Sequence, residues 1–548
     1  MTRRAKTLRM PESPAQQFAA HLLAALAKAG VRNFFLAPGA RSQALAIAAG
    51  QLAEAGKLDL VIRVDERSLG FLALGAALGS GEPSVLITTS GTAVANLHPA
   101  VLEANHAGVP LILLTADRPH ELRGVGANQT TNQVGIFADA VRECIDVEAP
   151  TGAEGEAQHA SQLAARAIAS ALGFDGEQPG PVQLNLAFRE PLSSVQPNAA
   201  ALAPIISLPP REEPKVEFAV VDGSVPTVVI AGAGAGEDAV ELAESFGWPL
   251  FAEPSSGARF GANVVVGYRA LLESELASRI GRAVVFGKPT LSRAVVALLK
   301  NPDVEVVVMK NRSYGFFDVT RRAAHFCDEL SVSGEPDFDW LEDWRAADRE
   351  LAGATPVHSA TAASTKDGRL TRRDIIDAVW QATEEQDQLL LGASRMIREA
   401  DRWAPAKPIR IFSNRGLAGI DGTVATATGL ALAEVRAELE SAGITRALIG
   451  DLTLVHDAGS LAYDRVGEPG LNLQVIVVND NGGTIFEALE PAQTLEPAVF
   501  ERLFKTPQTV DFWSLAQAYG WQYIQVQSES ELRDALDASG RVLIEIKL

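Results

Sequence analysis

The chain has 548 residues, 47% of them hydrophobic and 21% charged, a globular composition with material for about three domains. Its formal net charge is -20, from 48 Lys and Arg against 68 Asp and Glu; repulsion from a phosphate backbone excludes nucleic acid, while anionic small molecules stay open if arginines are concentrated locally. Cys144 and Cys327 stand far apart, which signals no zinc or iron–sulfur site and fits a reducing cytoplasm, and no apolar run reaches the ~18 residues of a membrane span.

Met1–Met10 is basic, with Arg3, Arg4, Lys6 and Arg9. No apolar stretch follows, so it reads as a tail rather than a signal peptide. Over residues 1–195, Phe34–Ala37, Leu60–Val64, Ser84–Thr88, Pro110–Thr115 and Val182–Leu186 read as buried strands, and Pro14–Ala29 and Ser68–Leu78 as helices. Residues 196–215 carry Pro197, Pro204, Pro209, Pro210 and Pro214 and read as a linker. A second α/β segment, 216–352, opens with Thr227–Ala231 and continues with strands at Val284–Gly287 and Val304–Val308. Its GAGAG turn, Gly232–Gly236, lacks the full dinucleotide fingerprint, and no nucleotide is assigned to it. The small, polar stretch Gly353–Gly368 reads as a second connection. Strand patterns resume over 369–548 at Gln388–Leu391, Ile409–Phe412, Arg446–Ile449, Gln474–Val478 and Val542–Ile546. The expected fold class is therefore α/β: three consecutive domains (1–195, 216–352 and 369–548) with mostly parallel sheets covered by helices.

Two polar clusters end buried strands in the last segment. ALIGDL, Ala447–Leu452, ends in Gly450 and Asp451; VIVVNDNGGTIF, Val475–Phe486, carries Asn479, Asp480, Asn481, Gly482 and Gly483. The carboxyl ends of parallel strands are where open α/β sheets bind ligands. Mg2+ takes about six hard oxygen ligands, usually one or two carboxylates with waters and phosphates. Asp451 and Asp480 offer the carboxylates, and a helix starting near Ile485 would aim its amides at an anion. Either cluster alone is an ordinary polar turn. Together, with 26 residues between Leu452 and Asn479, they resemble the thiamine-diphosphate motif, Gly-Asp-Gly followed by Asn-Asn. Leu452 stands in place of the second Gly and Asp480 in place of the second Asn. The resemblance implies metal ligation by Asp451, Asp480 and the Gly482 carbonyl, and cofactor contacts from Gly450, Asp451, Leu452, Asn479, Asn481 and Gly483. The second carboxylate should tighten divalent-ion binding.

Thiamine chemistry also needs a carboxylic acid against the cofactor's pyrimidine ring, sheltered from water. Asp65 and Glu66 lie between the strand Leu60–Val64 and a very apolar helix, which would partly bury a carboxylate there. A helix-start acid serving the dipole is the bland reading. The thiamine-diphosphate resemblance selects Glu66, and implies a homo-oligomer with active sites at the subunit interface.

Four stretches narrow the resemblance: LAPGARSQAL (Leu36–Leu45), TSGTAVANLHPAVLEA (Thr89–Ala104), LILLTADRPHELRGVGANQT (Leu111–Thr130) and SNRGLAGIDG (Ser413–Gly422). They are similar to the 2-succinyl-5-enolpyruvyl-6-hydroxy-3-cyclohexene-1-carboxylate synthase family. That implies a carboligase of menaquinone biosynthesis, using thiamine diphosphate with Mg2+ or Mn2+, that decarboxylates 2-oxoglutarate and adds the remaining succinyl unit to isochorismate. Each substrate carries two carboxylates, and arginine is the efficient residue for holding them. Arg41, Arg118 and Arg415 stand in the matching stretches; Arg293, Ser394 and Arg398 are placed by the resemblance alone. Asn128 and Gln129 match a polar pair that orients substrate, Ile420 a residue that props the cofactor, and Ile485, Phe486 and Leu489 an apolar wall near the thiazolium. Taken singly, these are a surface arginine, a loop amide, a core isoleucine and a helix face. Two other functions compete. An acetolactate-synthase-like or 2-oxoacid decarboxylase enzyme would need fewer arginines. A non-catalytic binding protein of the same fold would have no need of Glu66, Asp451 and Asp480 together.

Overall fold

The computed structural model describes residues 13–194, 198–213, 215–311, 315, 317–334, 337–354, 370–437, 443–463 and 468–548. The basic start, most of the second connection and parts of the first lie outside the described residues. Six strands, β1 (Asn33–Leu36), β2 (Asp59–Ile62), β3 (Ser84–Thr88), β4 (Leu111–Asp117), β5 (Glu143–Val147) and β6 (Val182–Ala187), form a parallel sheet in the order 2-1-3-4-6-5. β1, β3, β4 and β6 are buried along their whole length. Helices on the faces leave no polar side to such strands, hence their unbroken apolar runs. The helices Pro14–Lys28, Gln43–Glu54 and Glu156–Ala171 bring Phe18, Leu22, Leu45 and Leu163 onto Phe34, Leu114 and Leu184 in one core.

The middle of the chain forms β7 (Phe218–Asp222), β8 (Thr227–Ala231), β9 (Leu250–Ala252), β10 (Arg282–Phe286), β11 (Glu305–Met309), β12 (Ala323–Cys327) and β13 (Glu329–Ser333). Five of these make a parallel sheet in the order 12-11-10-8-9, and β13 pairs with β7 apart from it. The last part forms β14 (Gln388–Leu391), β15 (Arg410–Phe412), β16 (Thr445–Gly450), β17 (Leu473–Asn479), β18 (Gln522–Val526) and β19 (Arg541–Lys547), all parallel, in the order 15-14-16-17-19-18. Renumbered from one, that is the strand order of the first sheet.

The chain divides into two compact units: Met1–Glu213 with Thr428–Ala433 and Ala462–Glu468, and Pro214–Ala427 with Glu434–Leu461 and Pro469–Leu548. In each six-stranded sheet the winding reverses near the start of the sheet, between β1 and β3 in the first unit and between β14 and β16 in the second. Loops leaving neighbouring strands at such a point diverge to opposite faces and open a crevice outside the carboxyl ends. Among the described residues no helix is long and apolar enough to cross a membrane.

Candidate active site

In the second unit the crevice holds a cavity of about 130 Å³, lined by Ser394, Ile420, Gly450, Asp451, Leu452, Asp480, Gly482, Gly483, Ile485 and Phe486 among others. β14 delivers Ser394, β16 delivers Gly450 and Asp451, and β17 delivers Asp480. Asp451 is the first residue of the helix Asp451–His456. Its Oδ1 accepts the Leu452 N–H at 2.8 Å and its Oδ2 the Gly482 N–H at 2.7 Å. Burial pushes the Asp451 carboxyl up to about 6, with the charge of Asp480 acting in the same sense and the two N–H donors opposing it. Gly482 has φ 120°, and a Cβ there would stand 2.1 Å from the Lys505 carbonyl oxygen. Only glycine lets the backbone turn so sharply beneath Asp451. The Gly482 carbonyl accepts the Thr484 N–H at 2.8 Å and keeps a second lone pair.

These groups fit a hard divalent cation. Two acidic groups share one buried corner, one of them destabilised by the other's charge, and a cation between them relieves both. Among the described residues no three His, Cys, Asp or Glu side chains come together as ligands, so the remaining oxygens would be carbonyl, water and phosphate, the usual Mg2+ set.

Other expected residues are placed differently. Asn479 Nδ2 donates to Glu545 Oε1 at 2.6 Å and its Oδ1 accepts the Asn481 N–H at 3.2 Å; neither asparagine lines the cavity. The Asn479 amide is thus turned toward β19, where it ties two strand ends. The helix expected near Ile485 is a single 3-10 turn, Thr484–Ala488, too short to add much of a dipole. Leu489 follows that turn and lies outside the cavity lining.

Arg398 and Arg415 do come together. Arg398 Nη1 donates to the Ser394 carbonyl at 2.6 Å, and Arg415, 4% exposed, donates to Thr290 Oγ1. Burial, then the charges of Arg415 and Arg269, hold the Arg398 guanidinium below its ordinary value. Such a cluster is a standing site for an anion. Arg293 is exposed, at the first position of the helix Arg293–Lys300.

Sequence reasoning missed four neighbours. Glu253 Oε1 accepts the Leu291 N–H at 2.6 Å, steadying the loop that meets Arg415. Lys288 Nζ donates to the Gly416 carbonyl at 2.5 Å. Arg395 Nη1 donates to the Thr484 carbonyl at 2.9 Å, and Arg372 pairs with Asp480. Each comes from an element distant in sequence from the residue it supports; only Arg395, beside Ser394, carried a local signal.

In the first unit, Asp65 is the N-cap of the helix Glu66–Ser80, accepting the Arg67 and Ser68 N–H groups at 2.9 and 3.3 Å. The capping role falls on Asp65, and Glu66, partly buried, is left to accept from Asn96 Nδ2 at 3.4 Å. Arg41 sits in the loop after β1 at the reversal point. Its Nη1 donates to the Phe188 carbonyl at 2.9 Å, its Nε has no partner, and burial followed by Arg118's charge lowers its ordinary value. Arg118 Nη2 donates to the Asn128 carbonyl at 3.0 Å and Gln129 Nε2 to the Ser90 carbonyl at 2.9 Å. Gln129 has φ 53°. Asn128 and Gln129 are exposed, so the first unit gathers Arg41, Arg118, Asn128 and Gln129 around the Ser90 loop.

Comparison with known proteins agrees with this chemistry. Residues 16–136 match the family described as thiamine pyrophosphate enzyme, N-terminal TPP binding domain. The chain is 46% identical to the 2-succinyl-5-enolpyruvyl-6-hydroxy-3-cyclohexene-1-carboxylate synthase of Leifsonia xyli subsp. xyli over 98% of both chains. It is 44% identical to the synthase of that name from Clavibacter michiganensis subsp. michiganensis, over 98% of this chain and 96% of the relative. For the Mycobacterium marinum synthase the identity is 38%, over 95% of this chain and 94% of the relative. Identity of this extent along the whole of both chains leaves one conclusion: the chain belongs to the 2-succinyl-5-enolpyruvyl-6-hydroxy-3-cyclohexene-1-carboxylate synthase family of thiamine-diphosphate-dependent enzymes.

Proposed function

We propose that this enzyme decarboxylates 2-oxoglutarate and joins the remaining four-carbon unit to isochorismate, releasing CO2, as a step of menaquinone biosynthesis. The observation that carries the reading is Arg398, which bonds the carbonyl of Ser394 in the lining of the cavity that holds Asp451 and Asp480 and which feels the charge of Arg415. Dicarboxylate-binding cations thus stand beside a metal-type acid pair, which a decarboxylase of small apolar 2-oxoacids has no need of. In this reading Asp451, Asp480 and the Gly482 carbonyl would hold Mg2+ or Mn2+, which would supply charge neutralisation for the cofactor's diphosphate. Bound thiamine diphosphate supplies the electron sink for decarboxylation. Glu66 holds a proton against the cofactor's pyrimidine ring. Ile420, Ile485 and Phe486 keep water from the reacting carbon. Arg41, Arg118, Asn128, Gln129, Arg293, Arg398 and Arg415 orient the substrate carboxylates and hydroxyls.

The reading extends to a cytoplasmic homo-oligomer with active sites at the subunit interface and three domains, 1–195, 216–352 and 369–548. Val64, 86% exposed two residues before Glu66, supports a partner surface there, since a bare valine beside a catalytic acid gains from cover. The test is substrate consumption by the purified protein with Mg2+ and thiamine diphosphate. Rapid loss of 2-oxoglutarate is expected only when isochorismate is present. Turnover of pyruvate alone would point to a simple decarboxylase, and no turnover in any arm to a binding protein.

A further inference from the structure

Arg372 and Arg373 occupy the first two positions of the helix Arg372–Ala382, where the helix dipole disfavours cations. Thr371 and Asp374 close a capping box around that end, so the helix start is fixed and both arginines need partners elsewhere. Arg373 lies over the Trp403 ring, 4.7 Å from its centroid. Arg372 reaches Asp480, with Nη2 at 2.6 Å from Oδ2, and stands 3.4 Å from Thr484 Oγ1. Thr484 Oγ1 itself donates to the same carboxylate oxygen at 2.5 Å. The Asp480 side chain is 12% exposed and that of Arg372 23%. Arg372 Nε is buried without a partner, so the guanidinium is held there chiefly by Asp480.

We propose that Arg372 is the resident counter-ion of Asp480 and competes with the divalent cation for it, so that the metal affinity of this site is set by Arg372 rather than by its number of carboxylates. This rests on the reading of Asp451 and Asp480 as metal ligands. An acid in place of an amide at position 480 brings a charge that Arg372 already neutralises. To use Asp480 the metal must either displace a charge-assisted bond or accept a guanidinium as a close neighbour. Both weaken binding, and at a separation of a few ångströms in a partly solvated site one unit charge is worth ~10-fold or more in affinity. Such competition runs against the expectation of tighter binding from the second carboxylate, and the test below separates the two.

The test is a double-mutant cycle on the full-length protein saturated with thiamine diphosphate, with Mn2+ as probe and free ion followed by electron paramagnetic resonance. Arg372→Gln is expected to tighten Mn2+ binding ~10-fold, Arg372→Lys to stay close to wild type, and Arg372→Gln to have no effect in an Asp480→Asn background. Unchanged or weaker Mn2+ binding in Arg372→Gln overturns the proposal, as does equal tightening in both backgrounds, which would make Arg372 a remote charge. Loss of thiamine-diphosphate binding in Arg372→Gln, read by calorimetry, overturns it in favour of a diphosphate contact. Equal Mn2+ binding by wild type and Asp451→Ala would instead overturn the metal site itself, and the proposal with it. Thermal melts without cofactor confirm that each variant is folded.

Discussion

At the scale of single residues, the division of labour between Asp65 and Glu66 explains why two acids stand together. A helix start leaves N–H groups unpaired, and Asp65 takes two of them. Glu66 is then spared from capping and can serve a ligand. If Glu66 holds the activating proton, Glu66→Gln keeps the shape and loses the acid. Activity should fall by ~10²–10⁴-fold, while thiamine-diphosphate affinity by calorimetry and the melting temperature stay near wild type. Activity within a few-fold of wild type would remove Glu66 from that role. Residue identity alone is silent on what Asn479 pairs with. The resemblance makes Asn479 a cofactor contact; its amide donates to Glu545 on the neighbouring strand, and no local pattern announces a partner 66 positions away.

At the scale of elements, legibility followed burial. β1, β3, β4, β16, β17 and β19 are internal to their sheets, and their apolar runs were readable. β5, β12 and β18 are edge strands with mixed burial, and β7 and β13 pair only with each other. Polar residues blurred the signal in these half-covered strands, although the edge strands β2 and β15 were readable and the short buried β9 was not. An element-level tie within the first unit is equally silent in sequence. Arg63, just after β2, forms a two-pronged pair with Glu468 at 2.6 and 3.1 Å, with side chains only 6% and 3% exposed. Breaking such a pair strands a buried charge, at about 3–5 kcal/mol, whereas replacing both partners by apolar residues is often neutral. Glu468→Ala should therefore melt well below wild type in urea titrations, and Arg63→Met with Glu468→Leu should recover most of the loss. Equal stability of the single variant and wild type would mean that the pair contributes nothing.

At the scale of the whole molecule, the second unit stores a pH-sensitive carboxyl. Burial, then the charge of Asp401, pushes Glu253 up to about 8, and its Oε2 has no partner. Folded, this acid keeps its proton up to about pH 8; unfolded, it loses it near 4.5. Between those values the folded state binds more protons, so stability falls as pH rises. The contribution is complete below the unfolded value and gone once the pH passes the folded one. Glu253→Gln removes this dependence. Its melting temperature should gain on wild type at pH 8 relative to pH 5; parallel pH profiles of the two proteins would count against a protonated Glu253.

The sequence by itself determined the α/β class and singled out Asp451, Asp480 and Glu66 as candidates, because strand burial and polar strand ends are local patterns within one or two elements. Only the tertiary structure decided which polar groups face one another: the common strand order of the two six-stranded sheets, the meeting of Arg398 with Arg415, and the placing of Arg372 on Asp480. Charge pairing acts over a few ångströms of space and is blind to separation along the chain. The strand-end acids are therefore legible in sequence, while the arginine that pairs with Asp480 comes from a helix 108 residues away.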